Sequence, residues 1–134
     1  MPEIKVVLAD DDELALSHLQ RLLGTFSQVE VVGLARNGRE AVSLVDRIRP
    51  DLIFVDVEMP GLNGFQVLKA ITHKPIAVVM TAHASYRQMV FETDAIECLM
   101  KPVGLADMQR TMNKIEALAE ATGRINRSRH GVDR

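Results

Sequence analysis

Four places in this sequence carry side chains that could do chemistry together. Asp10-Asp11-Asp12-Glu13 is an acidic run directly after Val6-Val7-Leu8-Ala9. Asp56 directly follows Leu52-Ile53-Phe54-Val55. Thr81 closes the run Ile76-Ala77-Val78-Val79-Met80, and Lys101-Pro102 follows Ile96 to Met100. Converging carboxylates can hold a divalent cation, and one of them can act as a nucleophile that forms an acyl phosphate. A lysine and a hydroxyl beside them suit the charge that develops on a transferring phosphoryl group. Taken singly, each residue has a plainer reading. An acidic run before a helix favours the helix dipole, which accounts for Asp12 or Glu13. A loop carboxylate is usually solvated, a threonine at a strand end caps it, and a lysine is usually a surface charge. The question is whether the chain brings them to one place.

The periodicity of the apolar residues answers it. Ile4 to Ala9, Leu52 to Val55 and Ile76 to Met80 are short, β-branched and apolar on both faces, as strands buried on both sides of a parallel sheet are. Val29 to Leu34 and Ile96 to Met100 are weaker strand candidates. Helical patterns lie between them. Ala15, Leu19, Leu22, Leu23 and Phe26 share one face, and Ala41, Val42, Leu44, Val45 and Ile48 share another. The second is started by Asn37-Gly38 and stopped by Pro50. Phe65, Leu68 and Ile71 make a short third helix, Tyr86, Met89 and Val90 mark a fourth, and Leu105, Met108, Met112, Ile115 and Ala119 make a fifth.

Strand and helix alternating five times predicts a doubly wound α/β fold with right-handed crossovers. Its expected form is the flavodoxin-like (βα)5 arrangement, a five-stranded parallel sheet in the order 2-1-3-4-5. Ligands in such a sheet sit beyond the carboxyl ends of the strands, where the strand order switches, here between strands 1 and 3. Asp10, Asp11 and Asp56 should then lie within several ångströms of one another. Two unit charges ~5 Å apart at an effective dielectric of ~20 repel by roughly 3 kcal/mol. Three carboxylates in one notch therefore need a cation or raised pKa values. Hard oxygen ligands with room for water favour Mg2+, and Lys101 compensates only in part. The notch also offers Thr81 and the backbone N–H groups just after strands 3 and 4, those of Val57 and Ala82.

Composition excludes other classes. The chain has 134 residues, 47% of them hydrophobic and 25% charged, which suits one domain with a core of its own. The longest unbroken apolar run, Ile76 to Met80, is too short for a membrane span or a signal peptide, so a cytoplasmic protein is expected. A net charge of −2 argues against nucleic-acid binding by the domain itself. Cys98 is the sole cysteine, so there is no intramolecular disulfide and no cysteine zinc site. The expected domain covers residues 1–121. Residues 122–134, where four arginines occur, read as a tail or linker.

The segments Val7 to Glu13, Pro50 to Gly64, Met80-Thr81-Ala82 and Leu99-Met100-Lys101-Pro102 resemble the receiver domain of two-component response regulators, over residues 4 to about 120. Glu30 to Gly33, Thr81-Ala82-His83 and Ala95 to Val103 look most like receivers of LytTR-type regulators. The resemblance implies that Asp56 is the phosphoacceptor. It implies that Asp11, Asp56 and the backbone carbonyl of Glu58 bind Mg2+, with Asp10 helping directly or through water. Thr81 and Lys101 would contact the phosphoryl group, and Lys101-Pro102 would be a cis peptide. The implied phosphodonor is a sensor histidine kinase or a phosphotransfer protein. DNA would be reached only through an output domain outside this chain. Glu58 and His83 stand at positions that vary in the family and tune the lifetime of the phosphoryl group. Asp12 stands where Glu or His is common.

Cys98 stands where the family often has a Tyr or Phe that turns inward as the threonine moves. The switch is therefore expected to rely on Thr81 and helix 4. Cys98 itself has no resolving partner and is expected to be inert. The face of helix 4, strand 5 and helix 5 is the expected place for homodimerisation or partner docking. Such a protein is no conventional turnover enzyme, since it catalyses only its own phosphorylation and dephosphorylation. The alternative is a small phosphohydrolase with an aspartyl-phosphate intermediate, of the haloacid-dehalogenase kind. Asp56-Val57-Glu58 faintly resembles its signature, but that family places the nucleophile on the first strand and a late acidic pair after the lysine. A pseudo-receiver that only binds partners is a third reading, against which the intact site residues count.

Overall fold

A computed structural model describes residues 4–123. The strands are β1 (Ile4–Ala9), β2 (Val29–Ala35), β3 (Leu52–Asp56), β4 (Ile76–Thr81) and β5 (Glu97–Met100). The helices are α1 (Glu13–Leu23), α2 (Gly38–Ile48), α3 (Gly64–Ala70), α4 (Arg87–Val90) and α5 (Leu105–Ala121). All pairings are parallel, and the sheet runs β2-β1-β3-β4-β5. This is the flavodoxin-like order expected from the alternation.

Burial explains the run-like strands. Every residue of β3 and β4 is buried, because helices cover both faces of the sheet. Successive side chains point to opposite faces. Leu52, Phe54, Val78 and Met80 pack in one cluster with Leu16, Leu19 and Leu23 of α1 and Met108, Met112 and Ile115 of α5. Ile53, Val55, Ala77 and Val79 pack on the other side with Ala41 and Val45 of α2 and Phe65 and Val67 of α3. Each fully buried large aliphatic side chain contributes roughly 1.5–3 kcal/mol.

Three helices differ from the periodicity. α1 stops at Leu23, and Phe26 reaches the same core cluster from the loop beyond Gly24. In α5, Leu105 is 55% exposed at the first turn, while Thr111 takes a buried position. The fourth helix is reduced to a 3-10 turn, Ala84–Tyr86, and the single turn of α4. It has no side-chain cap at its start. At its end the Thr93 hydroxyl donates to the Val90 carbonyl at 2.7 Å and accepts from the Ala95 N–H at 3.1 Å. A threonine that bonds the backbone in this way ends a helix. Val90 is buried there, while Met89 and Phe91 are exposed.

α5 ends at Ala121, with Thr122 as its cap. Most of the expected tail, residues 124–134, lies outside the described residues. Among the described residues, no helix is long and apolar enough to cross a membrane.

Candidate functional site

The polar strand ends meet where β1 and β3 lie side by side at the carboxyl edge of the sheet. The Asp10 N–H continues the sheet by donating to the Ala35 carbonyl at 3.0 Å, which holds Asp10 at the end of β1. Its Oδ1 accepts the Asp12 N–H at 2.9 Å, and Asp12 in turn caps α1 by accepting the Leu14 N–H at 3.0 Å. Asp12 is thus spent on the helix. Glu13 is spent on Arg36, at 2.7 Å. Asp10 and Asp11 remain to face Asp56, the last residue of β3. One carboxylate oxygen from each of Asp10, Asp11 and Asp56 lies within 4.8 Å of the other two. Asp10 and Asp56 are buried, and Asp11 is exposed.

Lys101 enters from the end of β5. Its Nζ lies 2.7 Å from Asp10 Oδ2 and 3.5 Å from Asp56 Oδ2. The Lys101-Pro102 peptide is cis. Burial raises the pKa of Asp56 to about 6, and the neighbouring Asp10 charge adds to this. Lys101 and a hydrogen bond from the Glu58 N–H offset part of the rise. Burial works against the charge on Lys101, but its bonds to Asp10 and Asp56 outweigh that and raise its pKa. One cation therefore leaves the notch short of positive charge.

The Thr81 hydroxyl accepts the His83 N–H at 3.0 Å and donates to the His83 carbonyl at 3.3 Å. Ala82 lies exposed at the same edge. The expectation for Val57 needs correction. Its N–H donates to the Met80 carbonyl at 2.9 Å, because the β3–β4 ladder runs one residue past the strand. It is therefore occupied, and the backbone donor that meets the Asp56 carboxylate belongs to Glu58.

Two glycines seat the loop after β3. A Cβ on Gly64 would stand 2.5 Å from the Asp56 carbonyl oxygen, and one on Gly38 would stand 2.1 Å from that of Leu62. Neither contact was legible in the linear sequence. Nor was the bond between His18 Nε2 and the Val103 carbonyl oxygen, 2.7 Å, which ties α1 to the loop carrying Lys101. His83 Nε2 lies 3.0 Å from Glu58 Oε1, so the loops after β3 and β4 are paired beside the notch. An apolar notch of about 350 Å3 opens beside the acids, lined by Leu14, His18, Met80, Lys101 and Pro102. Cys98 lies partly buried on β5, and burial pushes its thiol pKa up, away from reactivity.

Comparison with known proteins fits this geometry. The model of the response regulator receiver domain matches residues 6–113. The chain belongs to that family. This receiver domain is 33% identical over 114 residues to the transcriptional regulatory protein BtsR of Escherichia coli (strain K12), covering 84% of this chain and 48% of that one. It is 34% identical over 115 residues to the positive alginate biosynthesis regulatory protein of Pseudomonas aeruginosa, covering 83% of this chain and 46% of that one. The receiver domain thus spans about half the length of the curated relatives it matches. Among solved structures it is similar to the receiver domain of AraT from Geobacillus stearothermophilus. That match has a TM-score of 0.81 and 27% identity, and covers 90% of this chain and 98% of the other. It is also similar to the response regulatory domain of mrkE from Klebsiella pneumoniae. There the TM-score is 0.74, the identity 30% and the coverage 88% and 97%.

Proposed function

We propose that this receiver domain is a phosphorylation-driven switch whose acceptor is Asp56. The observation that carries the reading is the buried Asp56 carboxylate, with Asp10 and Asp11 close by and a single lysine 3.5 Å away. An oxygen of Asp56 attacks the phosphorus of a phosphohistidine on a sensor kinase or phosphotransfer protein. The P–O bond forms as the P–N bond breaks, and the imidazole leaves. Hydrolysis of the resulting acyl phosphate resets the switch.

The donor set suits Mg2+. It consists of clustered carboxylate oxygens from Asp10, Asp11 and Asp56, to which the family resemblance adds the Glu58 carbonyl, and the exposed Asp11 leaves room for water to complete the shell. When bound, Mg2+ would neutralise charge on the transferring phosphoryl oxygens. Lys101, the Thr81 hydroxyl and the N–H groups of Glu58 and Ala82 would contact the same oxygens, Thr81 exchanging its bond to the His83 carbonyl for one of them. The apolar notch beside Leu14 and Pro102 fits the phosphodonor's own surface, which must approach from this side.

In this reading residues 1–121 are the switch and 122–134 a tail or linker. The kinship within the family is with receivers of LytTR-type regulators, and the protein works in the cytoplasm. Its output passes to a partner, a second copy or an attached output domain through the face of α4, β5 and α5. The test is intact mass after treatment with acetyl phosphate and Mg2+. The expected result is one added phosphoryl group, lost in both Asp56→Asn and Asp56→Ala. Full labelling of either variant would refute the assignment.

A further inference from the structure

The turn that carries Asp11 is fastened at both ends to two consecutive residues at the end of β2. At one end the Asp10 N–H donates to the Ala35 carbonyl at 3.0 Å. At the other, Arg36 Nε donates to both carboxylate oxygens of Glu13, at 2.7 and 3.1 Å. Arg36 is itself held. Its backbone N–H donates to Glu40 Oε1 at 2.7 Å, and the Glu40 N–H donates to Asn37 Oδ1 at 2.8 Å, where Asn37 caps α2. Glu13 is therefore tied to the start of α2 and not to a loose side chain. Asp11 stands between the two fastenings. It is exposed, and among the described residues its carboxylate has no hydrogen bond or ion pair. Only the backbone of the turn sets its direction.

We infer that Arg36 and Glu13 are positioning residues that aim Asp11 at the metal. This rests on the Mg2+ reading of the notch. Mg2+ accepts little departure from octahedral geometry at about 2.0–2.1 Å, so a turn that swings freely binds it more weakly. Asp10 and Asp56 need no such support, because both are buried at strand ends. Partners that orient a ligand in this way tune metal affinity without touching the metal. The pair is half-exposed, so it contributes little to folding itself. Its two charges cancel, so Arg36 does not act by neutralising the acids.

The test is a Mg2+ titration of the full chain, starting in chelator, with the apparent dissociation constant read from the gain in melting temperature. Arg36→Gln and Glu13→Gln should each weaken binding by about two- to five-fold, the range of an exposed ion pair. The double variant should be no weaker than the weaker single one. Arg36→Lys, which returns a donor to Glu13, should recover most of the affinity. Charge alone predicts otherwise, since Arg36→Gln makes the notch more negative and would tighten binding. Tighter or unchanged binding in Arg36→Gln therefore overturns the inference. Urea unfolding in chelator is measured in parallel and should change little. A lowered urea midpoint with unchanged Mg2+ affinity would make the pair merely structural and also overturns it. Asp11→Ala separates the two readings. If it loses Mg2+ binding while Arg36→Gln keeps it, the inference alone falls. If Asp11→Ala binds as the unsubstituted protein does, the metal reading of Asp11 falls and the inference with it.

Discussion

Lys101 Nζ lies 2.7 Å from Asp10 Oδ2, and Asp10 is only 1% exposed. The lysine thus neutralises a buried acid other than Asp56, and reaches Asp56 only as its second partner, at 3.5 Å. Lys101→Met would leave the Asp10 charge buried without its partner. Breaking such a pair is costly, though the lysine's own partial exposure reduces the loss to roughly 1–3 kcal/mol. Asp10→Asn in the same background should recover part of it. Urea unfolding of the four proteins in this cycle is the measurement, and strict additivity would contradict the pairing.

Asp11 differs from its neighbours because it is exposed. In metal-free protein Asp11→Ala should change stability by less than about 0.5 kcal/mol, or stabilise slightly through lost repulsion. With Mg2+ the outcome reverses. The unsubstituted domain should gain melting temperature, and Asp11→Ala should not. Thermal unfolding with and without Mg2+ compares the two, and an equal gain in both would remove Asp11 from the metal site.

The pKa of Asp56 is raised from 3.8 to about 6, so the folded state holds its proton more tightly than the unfolded chain. Stability of the metal-free protein is then full below about pH 4 and declines as pH rises to about 6. Asp56→Asn removes that decline. In chelator, the variant should be more stable above pH 6, by on the order of 2 kcal/mol, with the gap closing below about pH 4. Denaturation midpoints across this range decide it. A gap that grows on acidification would show that Asp56 is held as a stabilised anion instead.

Gly38 and Gly104 should respond oppositely to a side chain. A Cβ at Gly38 would stand 2.1 Å from the Leu62 carbonyl oxygen, whereas one at Gly104 meets nothing within 4 Å. Gly38→Ala must displace the loop after β3, costing about 1–3 kcal/mol or more. Gly104→Ser should be neutral or gain a few tenths of a kcal/mol, since it adds an N-cap to α5. Unfolding free energies of the two variants are the comparison. A neutral Gly38→Ala would mean that the loop is not seated on α2.

The local order of residues was enough to determine the sheet and the composition of the site. Leu52 to Val55 and Ile76 to Met80 are apolar on both faces, and only a parallel sheet covered by helices buries both. Once the strand order follows, Asp10, Asp11, Asp56 and Lys101 must gather at one edge. Contacts between segments distant in the chain needed the tertiary structure. The pairing of Glu58 with His83, of His18 with Val103, and of Gly38 with Leu62 leaves no periodic trace, because each depends on how loops cross above the sheet. The Val57 N–H looked available because Asp56 ends the strand, yet one more ladder bond carries that N–H to the Met80 carbonyl. α4 is brief because the N–H groups of Phe91, Glu92 and Thr93 turn back to the Gln88, Met89 and Val90 carbonyls, and the Thr93 hydroxyl adds a second donor to the last of these. Sequence sets which groups can meet through the period of burial. Which hydrogen bond each group makes is decided by competition among neighbours that only the folded chain assembles.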